Sequence, residues 1–209
     1  MNKTEIIVVD DHPIMVQGVK NIIEACDKCE CIATATNGKD ALKKIQQLKP
    51  DIVITDLNMP GMNGIELIKK IKRKFPDIGI IVISVHQSNI IISSAITAGA
   101  LGYIDKSMTP DSLQQCIETV KSGKIFAPSY EESDMPTNIS KLLSKREVEI
   151  AFMLVSGMTP SAIGKELNIQ LNTVSTHKGK IYTKLGVSNT TDFSIAAELL
   201  GIVNEKKIV

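Results

Sequence analysis

The chain has 209 residues, 43% of them hydrophobic, and its 24 basic and 23 acidic side chains leave a formal net charge of +1. This balance excludes a uniformly basic nucleic-acid-binding coat but allows a local basic patch, and the apolar content is too high for a mostly disordered chain. No apolar run approaches the ~20 residues that span a bilayer, and the N-terminal residues lack the pattern of a signal peptide. We therefore expect a cytoplasmic protein with no membrane contact.

Residues 1–124 alternate between strand and helix patterns. Short apolar runs, several of them rich in β-branched residues, predict five strands at 6–9, 32–35, 52–55, 80–83 and 102–104. Amphipathic stretches bounded by caps or glycines predict five helices at 13–25, 40–48, 64–74, 89–98 and 110–122. The alternation predicts an α/β domain in which helices cover both faces of a five-stranded parallel sheet.

Polar side chains stand where the predicted strands end, and these are Asp10, Asp11, Asp56, Ser84 and Lys106. The site of an open α/β sheet lies beyond the carboxyl ends of its strands, so we expect these side chains to share one edge. Three carboxylates in one place repel one another unless a cation joins them, and such oxygen ligands suit Mg²⁺. The competing interpretation is that each acid merely caps a strand or helix. Capping accounts well for any single acid but poorly for all of them at one edge.

Asp56 is the candidate nucleophile, because a carboxylate beside a metal can accept a phosphoryl group as an acyl phosphate. Lys106 would then neutralise charge on the phosphoryl oxygens, and Ser84 would donate a hydrogen bond to one of them. The turn after Asp56 lets Asn58 offer its backbone carbonyl as a further metal ligand.

The acid pair in Asp10-Asp11-His12-Pro13, the segment from Thr55 to Gly61 around Asp56, Ser84, and Lys106 together make residues 1–124 resemble a response-regulator receiver domain. The resemblance implies a doubly wound, flavodoxin-like sheet of strand order 2-1-3-4-5. It implies that a cognate sensor histidine kinase phosphorylates Asp56, and that Ser84 and Tyr103 move together as a switch. The metal ligands that it implies are Asp10, Asp11, Asp56 and the carbonyl of Asn58.

Residues 125–138 hold two prolines and no periodicity, which predicts a linker. After it, strand patterns end and four short helices are predicted. Ser144 and Glu147 form a capping box for the first, Thr159-Pro160 opens the second, Asn172 caps a third that runs to Leu185, and the fourth covers 191–200. Residues 139–209 are therefore predicted to form an all-α four-helix domain with a helix-turn-helix.

The third of these helices is the candidate DNA-contacting element, because no acid occurs from residue 172 to residue 187. Its apolar residues recur at helical spacing, so one face packs and the other is polar and basic. The competing interpretation is a solvated lysine face on an ordinary bundle helix. The candidate DNA-binding residues are Asn172, Thr173, Ser175, Thr176, Lys178, Lys180 and Lys184.

Residues 140–200 resemble the LuxR-type helix-turn-helix, on stretches such as 143–147, 173–177 and 184–187. Together with the receiver resemblance, this identifies the chain as similar to the NarL/FixJ two-component response regulators. The combination implies that phosphorylation controls homodimerisation and sequence-specific binding of double-stranded DNA, and thereby transcription. It implies no enzyme activity beyond self-phosphoryl transfer and autodephosphorylation in the receiver domain.

Three alternatives stay open at this point. The chain could be an Mg²⁺-dependent phosphohydrolase that turns over through an aspartyl phosphate, or a receiver that works without phosphorylation. The cluster Cys26, Cys29 and Cys31 could form a thiolate metal site or a redox pair, although small buried residues at a helix end and strand start explain it more simply.

Overall fold

The computed structural model describes residues 3–62, 64–127, 142–200 and 202. The chain divides into two compact units, one made of Met1–Gln87 with Ser94–Ser129 and the other of Ser88–Ser93 with Tyr130–Val209. Most of the predicted linker, residues 125–138, lies outside the described residues, so the domain bounds 1–124 and 139–209 stay a prediction.

The first unit contains the predicted five-stranded parallel sheet, in the order β2-β1-β3-β4-β5, which confirms the doubly wound fold. Its strands are β1 (Thr4–Val9), β2 (Cys29–Ala35), β3 (Ile52–Thr55), β4 (Gly79–Ser84) and β5 (Gly102–Asp105). The helices of this part of the chain are α1 (Pro13–Glu24), α2 (Gly38–Leu48), α3 (Gly64–Lys74), α4 (Asn89–Ala98) and α5 (Pro110–Lys121). The division into units falls within α4, after Ser93. The strand order places β1 and β3 side by side in the interior of the sheet.

Several elements begin earlier than the sequence pattern predicts, among them β2 and α2. Strand β2 starts at Cys29 because its first residues pair with the start of β1, where Thr4 lies opposite Cys29. Helix α2 starts at Gly38 because the side chain of Asn37 accepts a hydrogen bond from Asp40 N at 2.9 Å and caps the helix there.

The central strands are buried on both faces, as continuous apolar runs predict. Residues 6–9 of β1 are at most 1% exposed, and every residue of β3 is buried. Because apolar burial contributes ~25 cal/mol per Å², these buried strands are stable. They hold the loops at the carboxyl edge of the sheet in place.

The second unit contains the four predicted helices: α6 (Lys145–Val155), α7 (Pro160–Glu166), α8 (Leu171–Leu185) and α9 (Thr190–Leu199). Its core is apolar and includes the fully buried side chains of Ile150, Ile163, Val174, Ile181 and Phe193. Among the described residues, no helix combines the length and the apolar character that a membrane crossing needs.

The capping box of Ser144 and Glu147 is present, but the predicted cap of α8 is wrong. Asn172 is the second residue of α8, and Gln170 stands at the cap position without a side-chain bond. The helix begins earlier because Thr173 N and Val174 N both donate to the Gln170 carbonyl, at 2.9 and 3.2 Å.

Candidate functional sites

The carboxyl edge of the sheet gathers the predicted acids. Asp10 follows β1 and Asp56 follows β3, and the two ends are tied together because Asp56 N donates to Val9 O at 2.9 Å. Carboxylate oxygens of Asp10, Asp11 and Asp56 and a ring nitrogen of His12 all lie within 4.8 Å of one another. Asp10 and Asp56 are 5% and 4% exposed, so two acids are held together with little water around them.

Lys106 supplies the positive charge at this edge. It follows β5, and its Nζ donates to Asp10 Oδ2 at 2.8 Å and to Asp56 Oδ2 at 2.7 Å. Burial disfavours its charged form, but the hydrogen bonds to Asp10 and Asp56 outweigh burial and raise the pKa of Lys106 above its usual value. The ammonium therefore stays charged between the two carboxylates.

Asp11 leaves an oxygen for a further cation. Its Oδ1 atom is buried and makes no hydrogen bond. His12 Nδ1 lies 2.9 Å from it, without hydrogen-bond geometry, and is also 3.0 Å from Asp10 Oδ1. Oxygen-rich, anionic ligands with one oxygen that makes no hydrogen bond fit a hard divalent cation such as Mg²⁺, so the residues present fit the predicted metal.

The segment after Asp56 orients its carboxylate. Leu57 N donates to Asp56 Oδ1 at 2.6 Å, while the other oxygen takes the bond from Lys106. The side-chain amide of Asn58 lies 2.6 Å from His86 Nε2, so this turn is joined to the segment that follows β4.

His86 connects the two predicted switch residues. Its backbone N donates to the buried Oγ of Ser84 at 3.2 Å, and its carbonyl accepts from the Tyr103 hydroxyl at 2.6 Å. Tyr103 is 5% exposed, with its ring inside the unit. The connection depends on how residues 84–86 fold back after β4, and the sequence pattern carries no signal for it.

Helix α8 presents its predicted polar face. Its apolar residues Val174, Ile181 and Leu185 are buried in the core of the unit. Lys178 is half-buried, and its Nζ lies 5.2 Å from the centre of the Tyr182 ring. The candidate DNA-binding residues with exposed side chains are Asn172, Thr173, Ser175, Thr176, Lys180 and Lys184.

Lys184 has a partner that the sequence pattern does not reveal. Its Nζ donates at 2.7 Å to Oε2 of Glu147, which is 4% exposed and also accepts from Ser144 N in the capping box. The bond from Lys184, followed by those from Ser144, outweighs burial and lowers the pKa of Glu147 to about 2. The pair joins residues 37 positions apart, so it ties the end of α8 to the start of α6.

Comparison with known proteins matches both parts of the chain to known families. Residues 6–118 match the response regulator receiver domain, and residues 141–197 match the bacterial regulatory proteins of the luxR family. The transcriptional regulatory protein MctR of Rhizobium johnstonii is 31% identical over 207 residues, which are 97% of each chain.

Solved structures of similar proteins cover both units. A structure of RcsB from Salmonella enterica serovar Typhimurium, bound to a promoter in the presence of the phosphomimetic BeF₃⁻, has a TM-score of 0.76 and 30% identity over 95% of this chain and 100% of that one. A structure of two RcsB dimers on two parallel DNAs has a TM-score of 0.75 and 29% identity, with the same coverage.

Proposed function

This chain belongs to the two-component response regulators that carry a receiver domain and a LuxR-type DNA-binding domain, and on that premise we propose that phosphorylation of Asp56 controls its dimerisation and its binding to DNA. The observation that carries the proposal is the position of Lys106. Its ammonium bridges Asp10 and Asp56 at 2.8 and 2.7 Å, on the edge of the sheet where a receiver accepts its phosphoryl group.

The transfer uses groups that already surround Asp56. An oxygen of the Asp56 carboxylate attacks the phosphorus of a phosphohistidine on the sensor kinase, a P–O bond forms, and the P–N bond to the imidazole breaks. Lys106 neutralises charge on the transferred oxygens, which is the main requirement of phosphoryl transfer. Leu57 N holds the second carboxylate oxygen at 2.6 Å, so the attacking oxygen keeps one orientation.

Asp10, Asp11, Asp56 and the backbone carbonyl of Asn58 would hold Mg²⁺. When bound, the ion supplies further positive charge to the phosphoryl oxygens. The acidic cluster and the Asp11 oxygen that makes no hydrogen bond support this assignment.

Ser84 and Tyr103 would report the phosphoryl group to the rest of the receiver. The Ser84 hydroxyl can donate to a phosphoryl oxygen while it accepts from His86 N, because a hydroxyl is both donor and acceptor. The bond between Tyr103 and the His86 carbonyl supports coupled movement, since a shift of residues 84–86 changes the partner of the ring.

The output would be DNA binding through α8. Its exposed polar residues near the N-terminal end suit base edges, and Lys178 and Lys180 suit phosphates, whereas the ammonium of Lys184 is bonded to Glu147. The RcsB structures, one with promoter DNA and a phosphomimetic and one with dimers on DNA, support DNA binding by a phosphorylated dimer. Such a dimer would bind two half-sites about 10 base pairs apart.

The test is phosphorylation by acetyl phosphate with Mg²⁺, followed by mass spectrometry of the intact chain. We expect one phosphoryl group on the wild type and none on Asp56→Asn. Asp51→Asn is the matched control, because Asp51 precedes the same strand at its opposite end and its side chain accepts from Glu5 N at an exposed position. A wild-type rate of labelling in Asp56→Asn would refute the assignment.

The same preparation separates the remaining alternatives. Multiple turnover on small phosphate esters would identify a phosphohydrolase. A wild-type chain that takes no phosphoryl group and still binds DNA would identify a receiver that works without phosphorylation.

A further inference from the structure

The turn after α1 brings two cysteines of the first unit together. Cys29 N donates to the carbonyl of Cys26 at 3.0 Å, which closes a four-residue turn over residues 26–29. The Cα atoms at the ends of such a turn lie within about 7 Å, a separation that a disulfide can bridge. A disulfide between Cys26 and Cys29 would therefore require little backbone movement.

The two thiols lie near each other and differ in access to solvent. Cys29 is 6% exposed, whereas Cys26 is half-buried. Burial, and then the contact with Cys26, raise the pKa of Cys29 to about 11, so the inner thiol keeps its proton and the outer thiol faces incoming reagents.

A cavity opens beside this pair, at the amino end of the sheet and away from Asp56. Its volume is about 640 Å³, and both Cys26 and Cys29 line it together with residues of α5 such as Ile117 and Lys121. A cavity of this size accepts a small organic molecule. The thiol pair therefore has both a reactive geometry and room for a reaction partner.

We propose that Cys26 and Cys29 form a thiol–disulfide exchange site that a small organic disulfide oxidises reversibly. The Cys26 thiolate attacks one sulfur of the small disulfide, an S–S bond forms, and one small thiolate leaves. Cys29 then gives up its proton to water and attacks the Cys26 sulfur, which forms the Cys26–Cys29 bond and releases the second small thiolate. Two electrons pass from the cysteine pair to the small disulfide, which is reduced to two thiols.

The other two cysteines stand apart from this chemistry. The Cys31 thiol donates to the carbonyl of Ala33 at 3.5 Å. Cys116 is fully buried in the core, and burial raises its pKa to about 12. Both serve as internal controls: Cys116 is inaccessible, and Cys31, half-buried like Cys26, has a backbone carbonyl as its partner.

The experiment treats the full-length chain with oxidised glutathione, blocks free thiols with iodoacetamide and digests the chain after glutamate. Cleavage after Glu24 and Glu30 yields a peptide, residues 25–30, that contains Cys26 and Cys29 and excludes Cys31. We expect this peptide to lack two hydrogens and to carry no alkyl group. After dithiothreitol it should carry two.

Two variants test the order of events. Cys29→Ser should accumulate a glutathione adduct on Cys26, because the second thiol is missing, while Cys26→Ser should leave Cys29 alkylated and free of glutathione. Cys31→Ser should behave like the wild type. If Cys29→Ser fails to fold, as judged by circular dichroism, the peptide from the wild type decides alone.

Two results would overturn the proposal. One is a 25–30 peptide that stays doubly alkylated at glutathione disulfide concentrations that oxidise a reference Cys-x-x-Cys peptide. The other is a 25–30 peptide joined to the following fragment through Cys31.

Discussion

Among the residues that the structure describes, Lys106 is the one cation that forms ion pairs with both Asp10 and Asp56. Its removal leaves two carboxylates, each under a tenth exposed, without their shared ammonium. Breaking a buried ion pair in this way costs about 3 kcal/mol. We therefore expect Lys106→Met to lower the free energy of unfolding by roughly that amount in EDTA, measured by urea unfolding with circular dichroism.

Added Mg²⁺ should return part of this loss in Lys106→Met, because a second cation can take over the neutralisation. The matched control is Lys70→Met, which removes an exposed pair with Glu66 and should cost at most about 0.5 kcal/mol with or without Mg²⁺. Equal losses in the two variants would show that the bridge contributes nothing beyond a surface ion pair.

Glu147 gives the second unit a stability that depends on pH. Its folded pKa of about 2 lies below the usual 4.5, so its contribution is complete above pH 4.5 and is lost as the pH falls from there towards 2. The full shift corresponds to about 3 kcal/mol at most. We expect Glu147→Gln to destabilise the chain at pH 7 and to cost much less at pH 3.

The measurement is the difference in unfolding free energy between Glu147→Gln and wild type at the two pH values, which cancels the titration of all other groups. Glu149→Gln, which removes an exposed partner of Arg146, should show a small difference that is the same at both. A Glu147→Gln cost that does not change with pH would contradict the role given to the Lys184 pair.

At the scale of elements, helix α3 starts against the backbone of Asp56 and Leu57, just after β3. A Cβ on Gly64 would lie 2.4 Å from the Asp56 carbonyl and 2.6 Å from Leu57 Cα, so backbone must move to admit it. We expect Gly64→Ala to slow labelling of Asp56 by acetyl phosphate and to lower stability. Gly18→Ala, where nothing lies within 4 Å in α1, should instead add up to about 1 kcal/mol and leave labelling unchanged.

Helix α8 separates lysines that are open to a phosphate from one that has a partner in its own unit. Lys180 is exposed, whereas Lys184 is bonded to Glu147 at 2.7 Å. We expect Lys180→Gln to weaken binding to non-specific duplex DNA and to reduce the slope of log affinity against log salt by about 1. The control Lys74→Gln, on the receiver helix α3, should leave the slope unchanged.

Local sequence patterns predict the bounds of some elements but not the contacts between distant residues. Strand β3 and helix α3 have the predicted bounds, because the apolar patterns that predict them lie within each element's own residues. The start of β2 depends on its pairing with β1, and the pair of Glu147 with Lys184 depends on contact across 37 positions. Asn172 looks like a cap by type, but the backbone bonds to Gln170 decide where α8 begins.

The edge residues were predicted for a related reason. In a parallel sheet every strand points the same way, so residues that follow different strands meet whatever their distance along the chain. Asp10, Asp56 and Lys106 are brought together by that rule. The place of His86 between Ser84 and Tyr103 follows from no such rule, because it depends on one irregular segment.

At the scale of the whole molecule, we propose that phosphorylation of Asp56 shifts the population from monomer towards dimer. A shift from 1:99 to 99:1 needs about 5.5 kcal/mol of preference for the phosphorylated dimer. We expect beryllofluoride with Mg²⁺ to lower the dissociation constant of the wild-type dimer at least ~10-fold, or about 1.4 kcal/mol, in sedimentation velocity. Asp56→Asn should show no change, and an equal response of both chains would refute control through Asp56.

The last described residues of the receiver unit run beside β5. Phe126 accepts from Tyr103 N at 2.8 Å and donates to the Leu101 carbonyl at 2.7 Å, so it forms a bridge on the outer side of that strand. Tension applied to the polypeptide beyond this point would load β5 before any other strand. Tyr103 lies in this strand, and Lys106 follows it directly. Mechanical force applied after Phe126 would therefore first disturb the bonds from Lys106 to the two buried acids.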